Sequence, residues 1–452
     1  MKKLVALLLA VMMLCVSVAA LAEAPEGYPE VKEGIDFGGA NVYIDYYWGP
    51  NPRKTDPTEE EQAQYDFRDW IEATYNLKFV EEQWSDWGGI SSELTNFVGA
   101  PDGSLRLVVM PPDFVGGPMA NDALAAWNEN DLIDFSDDLW NDSTVDFMTK
   151  AGKVYGVATG NSEPRGCLYF NKNILEAAGI DWNTIYDMQA EGTWTWQAFE
   201  DMLKQIQKDT DNDGVTDIYG FTGENITLQR NAVFGNGGSF FDFDDNGDLV
   251  ITAGSDNTLE ALAWAKDIWE KYAWKGGEGA NWDFYKTDWK QNFCGFYMYQ
   301  TYGGFNDQDE FNPKDDGFEW GCVAVPVGPK GTTYVNVVSD NVWVIPNVYD
   351  AETVGKLAYI FSLYFGPTPG YDDEDSWIGN KYNKTDDRAV DETYAMLREP
   401  EHCVTDKCLY LGSVNDIEGQ DFLWSMPGST PAELLESKTP VWQGALDAFN
   451  GK

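Results

Sequence analysis

Hydrophobic and polar positions alternate over Asn41–Tyr46, the period of a half-buried strand. The period then changes. After a Thr58–Glu61 capping-box pattern, Phe67, Trp70, Ile71 and Thr74 recur at helical spacing. Leu77–Trp84 reads as a strand again, and Ile90, Leu94, Phe97 and Val98 mark a second helix. Arg106–Met110 is a short buried strand. Strands and helices in alternation imply a parallel sheet with right-handed crossovers. In such sheets ligands sit beyond the carboxyl ends of the strands. Those ends carry Tyr46, Tyr47 and Trp48, then Trp84, then Met110 with Asp113.

Leu132–Phe135 and Lys153–Val157 read as short strands completing this unit, and Asn161–Gly166 has the composition of a crossing segment. From Gly166 to Phe221 the pattern is again interpretable. An apolar run, Cys167–Phe170, breaks at Asn171, and a short helix from Asn173 to Ala178 is stopped by Gly179. Phe199, Met202, Leu203 and Ile206 then form one face of a helix opened by Thr193 to Thr195. An aspartate-dense turn leads to Ile218–Phe221. Further on, Phe234–Phe241 is a glycine-rich loop between aromatics, Leu259–Tyr272 is helical, and Phe293–Tyr299 is a buried strand. Trp320–Val327 and Tyr334–Ile345 are strand-like, Ala351–Phe365 is an apolar-faced helix, and Thr430-Pro431 starts a last helix.

At 452 residues the chain is long enough for two domains. Thirty basic residues stand against 76 acidic ones, a formal charge of -46. That surface repels nucleic acid and anionic membranes and leaves neutral solutes, cations and metal ions as partners. With 43% hydrophobic and 15% aromatic residues, the acidity is not that of a disordered chain. Residues 1–22 form a secretory signal: Lys2 and Lys3, an apolar stretch Leu4–Val18, and Ala20-Leu21-Ala22 as a cleavage site. The protein is thus expected outside the cytoplasm. Leu14 before Cys15 departs from a lipobox, which argues against a lipid anchor there. After cleavage at Ala22 five cysteines remain, of which Cys403 and Cys408 are the plausible local pair, and export permits a disulfide. The single histidine, His402, removes the main actor of most Ser-His or Cys-His catalysis.

The stretch Gly166–Phe221 resembles the core of bacterial extracellular solute-binding proteins of the maltose-binding type. The order of the flanking segments fits the same family: Arg106–Met110 with Asp113 and Gly116-Gly117, Lys153–Val157, Phe293–Gly304, Val323–Gly331 and Val342–Pro346. The resemblance spans about residues 36–450. It implies a periplasmic-binding-protein-like fold (type II): two α/β lobes, each a mostly parallel sheet flanked by helices, joined by a hinge. Lobe I is expected from residues 36–160 plus 340–368, and lobe II from 161–339 plus 369–452. The resemblance further implies a monomeric substrate-binding component of an ABC importer, which captures a carbohydrate, an oligosaccharide by the family's habit, and passes it to a membrane permease. A secreted carbohydrate-active hydrolase and a ligand-sensing partner of a membrane receptor stand as alternatives.

A pyranose ring offers apolar C–H faces and a belt of hydroxyls, so its binders pair aromatic platforms with carboxylates, amides and arginine. Tyr46, Tyr47, Trp48, Trp84 and Trp87 on one lobe, with Phe234, Tyr302 and Trp377 on the other, are the candidate platforms. Asp113, Glu163, Arg165, Asp340 and Asn341 are the candidate polar set. Asp113 matches a position where the resembled proteins place a sugar-contacting aspartate, and Met110 stands near it where they have tryptophan. No cofactor is implied. Asp209, Asp211, Asp213 and Asp217 follow the first nine positions of a calcium loop, while the twelfth is Gly220 in place of Glu. An ion there would be structural; the other reading is an acidic turn. No G-x-S-x-G, H-E-x-x-H or phosphate-binding loop occurs.

Overall fold

A computed structural model describes residues 24–305, 317–371, 376–379, 381–412 and 422–452. The leader 1–22 and Cys15 lie outside the described residues. In chain order the principal strands are β1 (Ala40–Tyr46), β2 (Leu77–Gln83), β3 (Leu105–Met110), β4 (Gly166–Asn171), β5 (Tyr219–Gly223), β6 (Cys294–Gln300), β7 (Trp320–Val323), β8 (Asn336–Val338), β9 (Val342–Val344) and β10 (Cys403–Thr405). The principal helices are α1 (Glu59–Tyr75), α2 (Ile90–Gly99), α3 (Trp196–Ile206), α4 (Asn225–Gly235), α5 (Asp256–Tyr272), α6 (Ala351–Tyr364) and α7 (Pro431–Phe449).

Two four-stranded sheets result, in the orders β9-β3-β1-β2 and β7-β4-β6-β5. Each has one strand running against the other three. In the first sheet it is β9, antiparallel to β3, and in the second it is β4, antiparallel to both β6 and β7. These are the strands by which the chain arrives from the other sheet, whereas strands delivered by helical crossovers run parallel, as β1, β2 and β3 do. The protein is therefore a two-lobed α/β structure with mixed sheets.

Local sequence explains the elements. Thr58 and Glu61 form a complete capping box on α1, and Thr430 with Glu433 does the same on α7 after Pro431. On α3, Phe199, Met202, Leu203 and Ile206 are buried as the spacing requires, and Thr195 caps the helix. In β3 successive residues enter different cores. Leu107 and Val109 pack with α6, while Val108 and Met110 join the larger core that continues into the second lobe. The residues Leu132–Phe135 form no strand. Asn130 Oδ1 takes the Leu132 N–H at 2.9 Å and Asp134 Oδ1 takes that of Ser136 at 2.9 Å, so side chains consume the hydrogen bonds a ladder would need.

Among the described residues, the first lobe buries one ion-pair system deeply. Arg106 Nη1 donates to Asp45 at 2.8 and 2.9 Å and to Glu82 at 3.1 Å, and its guanidinium lies against the rings of Tyr43, Trp84 and Phe97. No disulfide joins Cys167, Cys294, Cys322, Cys403 or Cys408, so the Cys403–Cys408 pair is not formed, and Cys403 Sγ donates to the Leu397 carbonyl at 3.3 Å.

Candidate functional site

The crossing segments bring β8 and the start of β4 together. Asn336, fully buried, accepts through Oδ1 from the backbone N–H of both Arg165 and Gly166 at 3.0 Å. Gly166 is required here: a Cβ would lie 2.6 Å from Asn231 Nδ2 on α4. Asn231 is itself fixed, donating to the Thr227 carbonyl at 2.9 Å.

Around this junction lies a cavity of about 290 Å³. The first lobe contributes Asp113, from the 3-10 turn Pro112–Phe114 that follows β3. The second contributes Arg165, Thr227, Arg230, Asn231 and Gln300. Val337, Val338 and Ser339 of the crossing form a further wall, and Asp406, Cys408 and Leu409 complete it. Burial holds the Asp113 carboxyl above the ordinary carboxylate range, against the pull of Arg230. Arg165 donates to the Ser339 carbonyl at 3.1 Å, but its Nε has no hydrogen-bond partner and it joins no ion pair among the described residues. By contrast Arg53, Arg68, Arg106, Arg388 and Arg398 each hold a carboxylate.

Five of the residues singled out from the sequence converge on this junction. Asp113 and Arg165 line the cavity. Tyr47 donates to Asn341 Oδ1 at 2.8 Å and lies within the electrostatic reach of both Asp113 and Arg165. Asp340 accepts from Ser162 Oγ at 2.6 Å, and burial raises its carboxyl despite that bond and nearby Arg165. Glu163 is turned to Tyr394 and Arg398.

Most of the remaining aromatics are engaged by other side chains, while Trp48 lies against Tyr47 at 4.5 Å and Trp87 against Phe114, beside Asp113, at 4.6 Å. Met110 is fully buried opposite Val342, and Trp84 lies on Arg106. Phe234 packs edge-on to Phe240, Tyr302 is hydrogen-bonded to the Tyr299 hydroxyl at 2.8 Å, and Trp377 stacks on Tyr394 at 5.6 Å. Tyr46 meets Trp343 edge-on, while Trp48 and Trp87 are exposed. Among the described residues no aromatic ring lines the cavity. The reading from sequence missed Thr227, Arg230 and Asn231. Their signal was a polar run inside a helix directly after a buried strand. Asp406 gave no comparable signal.

In the aspartate loop, Asp209, Asp211 and Asp217 each present a carboxylate oxygen, and these oxygens lie within 4.8 Å of one another. Asp213 is not in the group; its Oδ1 accepts from the Val215 N–H at 2.7 Å. Gly220 is buried inside β5. These carboxylates also accept from the loop's own N–H groups, Asp209 from Asn212 and Gly214, Asp211 from Asp213 and Asp217 from Thr210, and the loop is not an EF-hand.

The family model for bacterial extracellular solute-binding proteins matches residues 54–358. No curated protein sequence matches the chain. Among solved structures, the cyclic α-maltosyl-1,6-maltose binding protein from Arthrobacter globiformis aligns with a TM-score of 0.56 at 15% identity, over 92% of this chain and 98% of its own. An ABC substrate-binding protein from Listeria monocytogenes in complex with cycloalternan aligns at 0.53 and 14% identity, over 91% and 98%. The maltose-binding periplasmic protein of Listeria monocytogenes, in complex with maltose, gives 0.53 and 13%, over 91% and 97%. Among the described residues no helix is long and apolar enough to cross a membrane. The chain belongs to the bacterial extracellular solute-binding protein family.

Proposed function

We propose that this protein is the extracytoplasmic substrate-binding component of an ABC importer, that its ligand is a carbohydrate, and that its work is capture without chemistry. The observation that carries the reading is the pairing of Asp113 with Arg165 across the interlobe cavity. Among the described residues, one is a half-buried acceptor without a side-chain donor, the other a donor without a carboxylate. A sugar hydroxyl can donate a hydrogen bond to Asp113 while a neighbouring hydroxyl oxygen accepts one from Arg165. Leaving such groups unsatisfied in a secluded site is costly, so a ligand that satisfies both gains from closure.

The proposed lobes are residues 36–160 with 340–368, and 161–339 with 369–452, turning about the crossings at Gly160–Glu163, Val338–Asn341 and Gly366–Gly370. Ligand touching both lobes stabilises the closed form, which then docks as a monomer on a membrane permease. A dissociation constant near 1 μM corresponds to about 8 kcal/mol, within reach of a few charge-assisted hydrogen bonds. Residues 1–22 would direct export. A calcium ion at Asp209, Asp211 and Asp217 would be a scaffold ion, remote from the ligand. Thermal-shift screening against sugars, peptides and polyamines, followed by product analysis of every hit, tests the reading. Stabilisation by a sugar without turnover is expected; released reducing ends would favour a hydrolase instead.

A further inference from the structure

The shape and chemistry of the interlobe cavity say more about its ligand than that it is hydroxylated. One end is sealed by the segment 403–411. Its first residues, β10, pair in parallel with β8, and the chain then crosses to the first lobe. There the Tyr410 carbonyl sits so close to Gly116 that a Cβ on that glycine would lie 1.7 Å from the oxygen. The Tyr410 ring stacks on Phe147 at 4.5 Å. This end wall is therefore built into both lobes, with Asp406, Cys408 and Leu409, all buried, turned to the cavity.

The cavity, partly open to solvent, has a volume of about 290 Å³, just below the roughly 300–1,000 Å³ common for small-molecule sites. The wall charges balance, with Arg165 and Arg230 against Asp113 and Asp406. A charged ligand would bring a charge with no free counterpart in the partly desolvated wall, which is disfavoured. Among the described residues no ring lies in this wall, and the exposed Trp48 and Trp87 lie outside it, against Tyr47 and Phe114, so recognition inside the cavity rests on hydrogen bonds to hydroxyls.

We infer that the site takes a compact, electrically neutral polyol of one or two pyranose rings, and that segment 403–411, through Leu409, sets this length limit. The inference rests on the sugar-capture reading and narrows it against longer oligosaccharides. Calorimetric titration of the full mature chain with glucose, maltose, maltotriose and maltopentaose, and with mannose and mannobiose, tests it alongside glucuronate and glucosamine. Affinity is expected to peak at one or two rings, to fall at least tenfold by three, and to be at least tenfold lower for the charged sugars. Leu409→Ala should recover at least threefold in affinity for the trisaccharide. Affinity that rises through three or more rings in the unmodified protein overturns the length limit while leaving sugar capture intact. Glucuronate or glucosamine binding as tightly as glucose overturns the neutrality. Failure of every saccharide to bind defeats the capture reading and the inference with it.

Discussion

The Tyr47 hydroxyl donates to Asn341 Oδ1 at 2.8 Å, joining the end of β1 to the crossing segment between β8 and β9. The two residues are distant in sequence, and each lies beside the cavity that Asp113 and Arg165 share. Tyr47→Phe should lower stability by about 0.5–1.5 kcal/mol in urea unfolding. Asn341→Ala should do the same, and the double variant should lose little more than either single one, as a double-mutant cycle on a direct bond requires. Additive losses would mean the two side chains act independently.

Asp113 gives the binding reaction a pH signature. Its carboxyl is raised by burial, so it protonates at a higher pH than an ordinary aspartate, about 3.9. The sign follows directly. A folded-state value above the unfolded one means the native state holds the proton more tightly, so this group's contribution to stability falls as pH rises through that range. Ligand binding runs the other way, because the ionised carboxylate accepts a stronger hydrogen bond from a sugar hydroxyl than the neutral acid does. Calorimetry from pH 7 downward should show affinity falling before ordinary carboxylates titrate, with a flat profile in Asp113→Asn.

The buried Arg106–Asp45 pair is scaffold, and its removal should be severe. Arg106→Ala leaves a fully buried carboxylate without its donor beside Glu82. A loss of about 3–5 kcal/mol is expected, read from chemical denaturation. A loss under about 1 kcal/mol would show that water compensates Asp45.

Asp209, Asp211 and Asp217 predict a modest ion effect on stability. Raising free calcium to one hundred times the dissociation constant adds about 2.7 kcal/mol. The melting temperature should therefore rise between chelator and millimolar calcium, and Asp217→Asn should remove the rise. An unchanged melting temperature retires the site and leaves an acidic turn.

Much of the fold was readable because period and burial coincide. The face Phe199, Met202, Leu203 and Ile206 on α3, the capping boxes at Thr58 and Thr430, and the strands β1 to β3 each follow from local pattern. The site was readable only in part. Asp113 and Arg165 stand where strands begin or end, and such positions can be inferred from topology. The aromatics could not be sorted this way: Trp84 at a strand end lies on Arg106, and Met110 faces a core, because a strand end gives no indication of which side its ring takes. Arg230 and Asp406 come within 4.0 Å of each other from segments far apart in the chain. The polar run on α4 is the one local hint at Arg230, and nothing in the sequence around Asp406 distinguishes it from a surface charge.

The most direct measurement is titration calorimetry of glucose and maltose against the mature protein and its Asp113→Ala and Arg165→Ala variants, with the mixtures then assayed for new reducing ends. One sugar should bind per chain, each substitution should weaken it at least tenfold, and no product should form. Binding that ignores both substitutions, or reducing ends that accumulate only with the unmodified protein, would contradict capture in the interlobe cavity.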